Sequence, residues 1–501
     1  MSKFYIILLA LSISTILSSQ CPNSSEILLR SQSAVEQYIY DYPNCEEFDG
    51  TLTIGHFGQP ISTDIKDISG LSSFKRVLGT VRIRNCDSLV SLEGLHNLEY
   101  IGRDLVIGAN DLLRNLDQLE KLDTINEILE VYDNPVLDTL FSSDQIKHIG
   151  ESIEFFRNPS LRQINGLGNI TSLTDFVYIA DNDVLESFSG LSNLTSIGGD
   201  VDILSNMNIP DLTGFDNVTQ IGGALSIFGM TIIDLNGLNN LKTVGENLRI
   251  TGNPNLESLE GLPSLDSIYG SLEIIECPNL RSIVSLDNLK FIGSRLNISE
   301  TGLSDLSGLG NTAPLNNRLT IEDNPELISI AQIRLDSVMS SSVNINDNVK
   351  LTDISPLMDV DTIGNGLRLT DNLFLTDCSS LCPSLTDGEI SSIISIRGNG
   401  PGCTSQDEIL TVSCISNTFE EYLNLNIQYF PNPAIDKIQI TADYPIDGVT
   451  LFTIEGKAVK IEKFKTSSND VVLPLRDLKQ GFYFLQIKSK NLSHIGRFMK
   501  L

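Results

Sequence analysis

The groups able to do chemistry in this 501-residue chain are four histidines, eight cysteines and 64 acidic residues. His56, His96, His148 and His494 are far apart in sequence. They give neither a histidine-rich metal site nor a general base beside a nucleophile. Serines are abundant, but there is no G-x-S-x-G elbow and no phosphate-cradling glycine loop. No pair among the many carboxylates stands out as an acid and base couple. The reading is a protein that is not an enzyme, with no catalytic residue and no cofactor. With 34 basic residues the net charge is −30, the wrong sign for nucleic acid.

The cysteines are informative by position. Cys21 and Cys45 lie near the start, while Cys378, Cys382, Cys403 and Cys414 cluster late. The late set reads C-x3-C then C-x10-C with no histidine nearby, a poor match to zinc spacing. Lys3, an apolar run from Phe4 to Leu17 and the polar Ser18-Ser19-Gln20 form a secretory leader, which makes disulfides the better reading. The leader is assigned to 1–19, with cleavage near Ser19–Gln20. Cys21 pairs naturally with Cys45. Four cysteines allow three connectivities, and Cys378–Cys403 with Cys382–Cys414 is the one adopted. Beyond the leader no apolar run reaches the ~18 residues of a membrane span.

What positions these groups is an internal repeat. Residues 247–270 read NLRITGNPNLESLEGLPSLDSIYG and residues 176–199 read FVYIADNDVLESFSGLSNLTSIGG. The period is 24, slipping to 23 or 25 in places. Positions 2 and 4 are apolar, the alternation of a short strand, and further apolar residues recur near 10, 13, 16, 19 and 22. One such coil cannot bury its own stripe, whereas stacked coils can. Position 7 is Asn at Asn110, Asn134, Asn158, Asn182, Asn206, Asn253, Asn324, Asn348 and Asn372. An amide at one fixed corner can satisfy turn backbone inside the stack. Cys86 and Cys277 occupy the same position about eight coils apart, which at ~4.8 Å per strand is far beyond the ~7 Å a disulfide allows. They are read as buried thiols. Asp recurs at position 6 (Asp133, Asp181, Asp323, Asp347, Asp371), where an Asx turn is preferred to a calcium ladder.

The unit LxI-x-x-N-x-x-L-x-x-L-x-G-L-x-x-L-x-x-I-G-G resembles leucine-rich repeats of the receptor L-domain type. The resemblance covers 51–377. It implies a mainly β, right-handed parallel solenoid used as a ligand-binding module. The segment 20–50 is assigned as an N-terminal cap whose helix starts at a capping box, Ser33-x-x-Glu36. A C-terminal cap, 378–414, holds two more candidates, Thr386-x-x-Glu389 and Ser405-x-x-Glu408. A linker, 415–428, follows.

The character then changes. Residues 429–501 hold 11 Lys/Arg and 7 Asp/Glu, which leaves 23 and 57 for the rest of the chain out of totals of 34 and 64. Short alternating strands such as KIQIT and GFYFLQI predict an antiparallel β-sandwich. Phe430-Pro431-Asn432-Pro433, the strand residues Ile438 and Ile440, Gly456-Lys457, Leu478-x-x-Gly481-x-Tyr483 and the late Lys500 resemble the C-terminal sorting domain of type IX secretion cargo. The resemblance implies a Gram-negative cell of the Bacteroidetes type and passage through the outer membrane. It also implies the type IX machinery as partner and a product displayed on the surface or released.

Position 5 of each strand should face away from the core. There stand Tyr132, Phe156, Ala180, Leu204 and Phe228, with Ile275 further on, and Tyr178 joins from position 3. These are the candidate ligand-binding residues, as a contiguous exposed patch. The functional expectation is an exported surface or secreted binding or adhesion protein for protein or glycan. The alternative is a surface-layer component without a discrete ligand.

Overall fold

A computed structural model describes residues 21–56, 61–414, 427–453, 457–489 and 492–501. The leader, most of the linker and Gly456 lie outside the described residues. The chain divides into two compact units, Met1–Gly270 and Ser271–Leu501.

The coils form a parallel β-solenoid of about 15 turns with a repeat of roughly 24 residues. In the first unit, residues at equal repeat position pair in register. Leu129 sits beside Ile153, Ile153 beside Val177, and Val177 beside Val201. In the second, Leu272, Leu296, Leu319, Val343 and Leu367 continue in the same manner. Two-residue strands such as Thr124–Ile125 and His148–Ile149 make a second parallel wall. The apolar stripe fills the space between, with Leu129, Val131, Leu137, Leu140 and Ile149 all buried. Each such side chain stabilises the stack by about 1.5–3 kcal/mol relative to exposure.

Two corner devices let the coils stack. Position 6 lies in the left-handed region in coil after coil, with φ near +53° at Asp133 and Arg157 and +55° at Asp181. Asn, Asp and Gly adopt that region with least strain, which accounts for the recurring Asp. At the opposite corner Gly222 lies so close to the coil before it that a Cβ would stand 2.0 Å from the Gly198 carbonyl oxygen.

The asparagines form a buried ladder. The Asn134 amide N–H donates to Asn158 Oδ1 at 3.1 Å, and Asn158 N–H to Asn182 Oδ1 at 3.1 Å. Asn158 Nδ2 donates down to the Val131 carbonyl at 2.9 Å. Where Asn is replaced, Met230 Sδ accepts from Asn206 N–H at 3.3 Å. The ladder ends on Asn399, which accepts from Asn372 N–H at 3.0 Å and was not read from the sequence.

Both flanks add strands to the stack. Glu26–Leu29 pairs with Thr51–Gly55, and Ile394–Arg397 pairs with Leu367–Thr370. The disulfides are Cys21–Cys45, Cys378–Cys403 and Cys382–Cys414, and Cys86 and Cys277 are buried free thiols. Burial pushes the Cys86 thiol up to about 11, so it is inert at neutral pH. Two capping expectations need correction. The helix Gln32–Asp41 is capped by Ser31, whose hydroxyl accepts from Ala34 N–H, not by Ser33. Thr386 caps nothing, since its hydroxyl donates back to the Cys382 carbonyl within the turn Pro383–Asp387. Ser405 does cap, accepting from Glu408 N–H at 3.1 Å.

The C-terminal domain is one antiparallel five-stranded sheet. Its long strand Lys437–Phe452 pairs with Gln428–Phe430 at one end and Gly481–Ser489 at the other. Residues from both ends, Ile438, Ile440, Val449, Leu451, Tyr483, Leu485 and Phe498, share one core. The sheet therefore folds over on itself.

Candidate functional site

The outward face of the solenoid sheet in the first unit carries two columns of side chains. Position 3 supplies Arg82, Val106, Glu130, Glu154, Tyr178 and Asp202, neighbours on successive strands. Position 5 supplies Arg84, Gly108, Tyr132, Phe156, Ala180 and Leu204 in the same way, with Phe228 next.

Three of the candidate rings come together. Tyr132 and Phe156 stack with centroids 4.9 Å apart and planes 5° apart, and Tyr178 meets Phe156 edge-on at 5.7 Å. Cations close the ends. The Arg84 guanidinium lies 5.1 Å from the Tyr132 centroid, and that of Arg157 lies 4.9 Å from Phe156. Arg157 is held by a bidentate pair with Asp133, at 2.7 and 2.8 Å.

The expectation of a uniformly exposed patch is corrected here. Tyr132 is only 6% exposed, because Gly108 in the preceding coil leaves room for its ring to lie flat. A Cβ on Gly108 would stand 2.3 Å from that ring. Ala180 is also buried, whereas Phe156, Tyr178 and Leu204 are half-buried and Phe228 is 46% exposed. Ile275 is half-buried in the second unit and is not a member of the ring cluster.

Sequence reading missed the two carboxylates of this face. Glu130 and Glu154 stand side by side in register. Among the described residues neither accepts a hydrogen bond nor forms an ion pair. Burial, then the charges of Glu130 and Asp104, raises the Glu154 carboxyl to about 7. Burial raises Glu130 too, opposed by Arg84. The signal was the same period of two that flagged position 5, applied to position 3.

A pH dependence follows. Glu154 binds its proton more tightly folded than unfolded, so its contribution to stability is fully present below about pH 4.5 and is lost as pH rises through 7. The side chain is half-exposed, so solvent screening reduces the effect to about 1–2 kcal/mol. Glu154→Gln should flatten the fall in stability between pH 5 and 8, as read from denaturant midpoints across that range. An unchanged slope would contradict the assignment.

No group of three or more His, Cys, Asp or Glu among the described residues is arranged to hold a metal ion. The Asp323, Asp347 and Asp371 column only pushes the Asp347 carboxyl upward, through burial first and then its acidic neighbours.

In the C-terminal domain the predicted sorting residues hold the last strand in place. Asn432 Nδ2 donates to the Arg497 carbonyl at 3.2 Å, and its Oδ1 accepts from Met499 N–H at 3.0 Å. Ala434 N–H donates to the Met499 carbonyl at 2.7 Å. Tyr483 is buried, stacks on Phe498 and donates its hydroxyl to the Lys479 carbonyl at 2.9 Å. Gly481 has φ +151°. Lys500 is buried with its ammonium on the Leu501 carbonyl. Phe430, Pro431 and Pro433 remain exposed at the entry, and Lys457 accepts from Thr453 N–H to close its turn.

Residues 428–500 match the family model of the secretion system C-terminal sorting domain. A search of curated proteins finds no match to the chain. The tail is a type IX sorting domain and directs the protein to the cell surface or to secretion. No described helix is long and apolar enough to cross a membrane.

Proposed function

We propose that this chain is an exported, non-enzymatic binding or adhesion protein that takes a protein or glycan ligand on its solenoid. The binding face is the outer sheet around Tyr132, Phe156 and Tyr178. The coils are read as the leucine-rich receptor L-domain type, a reading supported by the 24-residue unit and the buried Asn ladder.

The observation that carries the function is an aromatic cluster on a sheet face beside two carboxylates that accept no hydrogen bond and form no ion pair among the described residues, in a protein whose tail sends it outside. A face built only for stability would pair those charges or replace them, since a desolvated carboxylate without a partner is costly.

The test is a protein and glycan array probed with the exported protein and with Phe156→Ala. An aromatic anchor truncated at an interface centre costs 2 kcal/mol or more, roughly thirtyfold in affinity. On a sheet face the same change costs about 1 kcal/mol or less of stability. The expected outcome is binding lost with folding kept. Binding kept in the variant would remove this face from the protein's function.

A further inference from the structure

We infer that the ligand of this face is a protein segment presenting a Lys or Arg side chain, whose cationic head sits between Glu130 and Glu154 and whose alkyl stem lies along Phe156 and Tyr178. This rests on the binding face proposed above and names what it takes.

Charge complementarity is the first support. Glu130 and Glu154 are rungs of adjacent strands, and like charges directly opposite one another destabilise a sheet. Arg157 is engaged in its bidentate pair with Asp133, and of the two carboxylates Arg84 and Arg82 act on Glu130 alone, whereas the charges acting on Glu154 are all acidic. The next charge along position 3 beyond Tyr178 is again acidic, Asp202. A bound ammonium or guanidinium would neutralise the pair, and its alkyl stem would lie along the apolar ring edges. Over longer range, a net charge of −30 steers basic partners toward the protein.

The rings favour protein over glycan. A sugar stacks on an open ring face. Here Tyr132 is covered by Phe156 on one side and approached by Arg84, and Phe156 lies between Tyr132 and the Arg157 and Tyr178 side. What remains accessible beside the carboxylates is ring edge and half-buried Leu204, an apolar rim suited to side chains around a charged anchor, while the more exposed Phe228 stands three strands on from Phe156. The two cavities described in this unit are lined elsewhere, by residues such as Ser142 and Asn193 or Arg114 and Arg162.

Binding of a cation must also drive the proton off Glu154. The groups facing that carboxyl are Glu130 from one neighbouring strand and Tyr178 from the other, with Asp104 acting on it from further off, Arg82 and Arg84 acting on Glu130, and Asp202 next beyond Tyr178. Affinity should therefore rise with pH between 6 and 8.

The experiment is an array of short peptides, each with one Lys or Arg among apolar residues and each paired with its acetyl-lysine or citrulline counterpart. The probes are the exported full-length protein, Glu130→Gln with Glu154→Gln, and Asp323→Asn with Asp347→Asn. The last variant removes the same charge from other coils. The expected result is at least a tenfold preference for the cationic peptide in wild type. That preference is lost in the Glu130 and Glu154 variant and kept in the Asp323 and Asp347 variant. Equal binding of the neutral counterparts, equal loss in both variants, or no peptide bound by the wild type overturns the inference. If neutral peptides or glycans bind and Phe156→Ala still abolishes it, the face stands and only the cation falls. If neither Phe156→Ala nor the Glu variant changes binding, the face itself is refuted.

Discussion

Asn158→Ala should lower the unfolding free energy of the solenoid by roughly 3 kcal/mol or more. Its Oδ1 accepts both the backbone N–H and the Nδ2 of Asn134, while its Nδ2 donates to the carbonyls of Val131 and Phe156. All of these groups but the half-buried Phe156 carbonyl are buried, so no water replaces the lost partners of Asn134 and Val131. Each buried polar group left unsatisfied costs about 1–3 kcal/mol, and at least two are stranded at once. Because a solenoid is held by contacts between neighbouring coils, the damage weakens one junction rather than the whole stack. Asn158→Met should cost less, since Met230 already fills this position and accepts an N–H through sulfur. Denaturant melts of the two variants would measure both. A cost below 1 kcal/mol for the alanine variant would mean that the ladder does not hold the coils.

Removing residues 428–501 should abolish appearance at the surface and in the medium almost completely. The domain carries its own core and an antiparallel sheet distinct from the parallel coils, so its loss deletes a signal without opening the solenoid's Leu and Ile stripe. Fractionation with an antibody against the solenoid would show the product retained inside the outer membrane. Undiminished export of the truncated chain would contradict the role of the tail.

The fold was legible because a solenoid repeats one local rule. Alternation at positions 2 and 4, the Leu and Ile spacing and the corner Asn all lie within 24 residues, and the rule was repeated along the chain. The candidate face was legible only in part, because its decisive contacts join residues a full coil apart. Tyr132 reads as exposed until Gly108 is placed beneath it. Glu130 and Glu154 read as ordinary surface acids until register sets them side by side. The helix start was missed for a more local reason: Ser31 and Ser33 are both competent caps, and only the backbone shows that Ser31 takes the extended conformation while Ser33 is already helical. Asn399 escaped because the cap places it 27 residues after Asn372.

The most direct measurement is carboxyl footprinting of the exported protein, with and without a ligand selected on the arrays. Carbodiimide-driven labelling at each acid would be read by mass spectrometry. Ligand should lower labelling at Glu130 and Glu154 and leave Asp323 and Asp347 unchanged. Protection confined to other coils, with Glu130 and Glu154 labelled as fully as before, would contradict the proposed site.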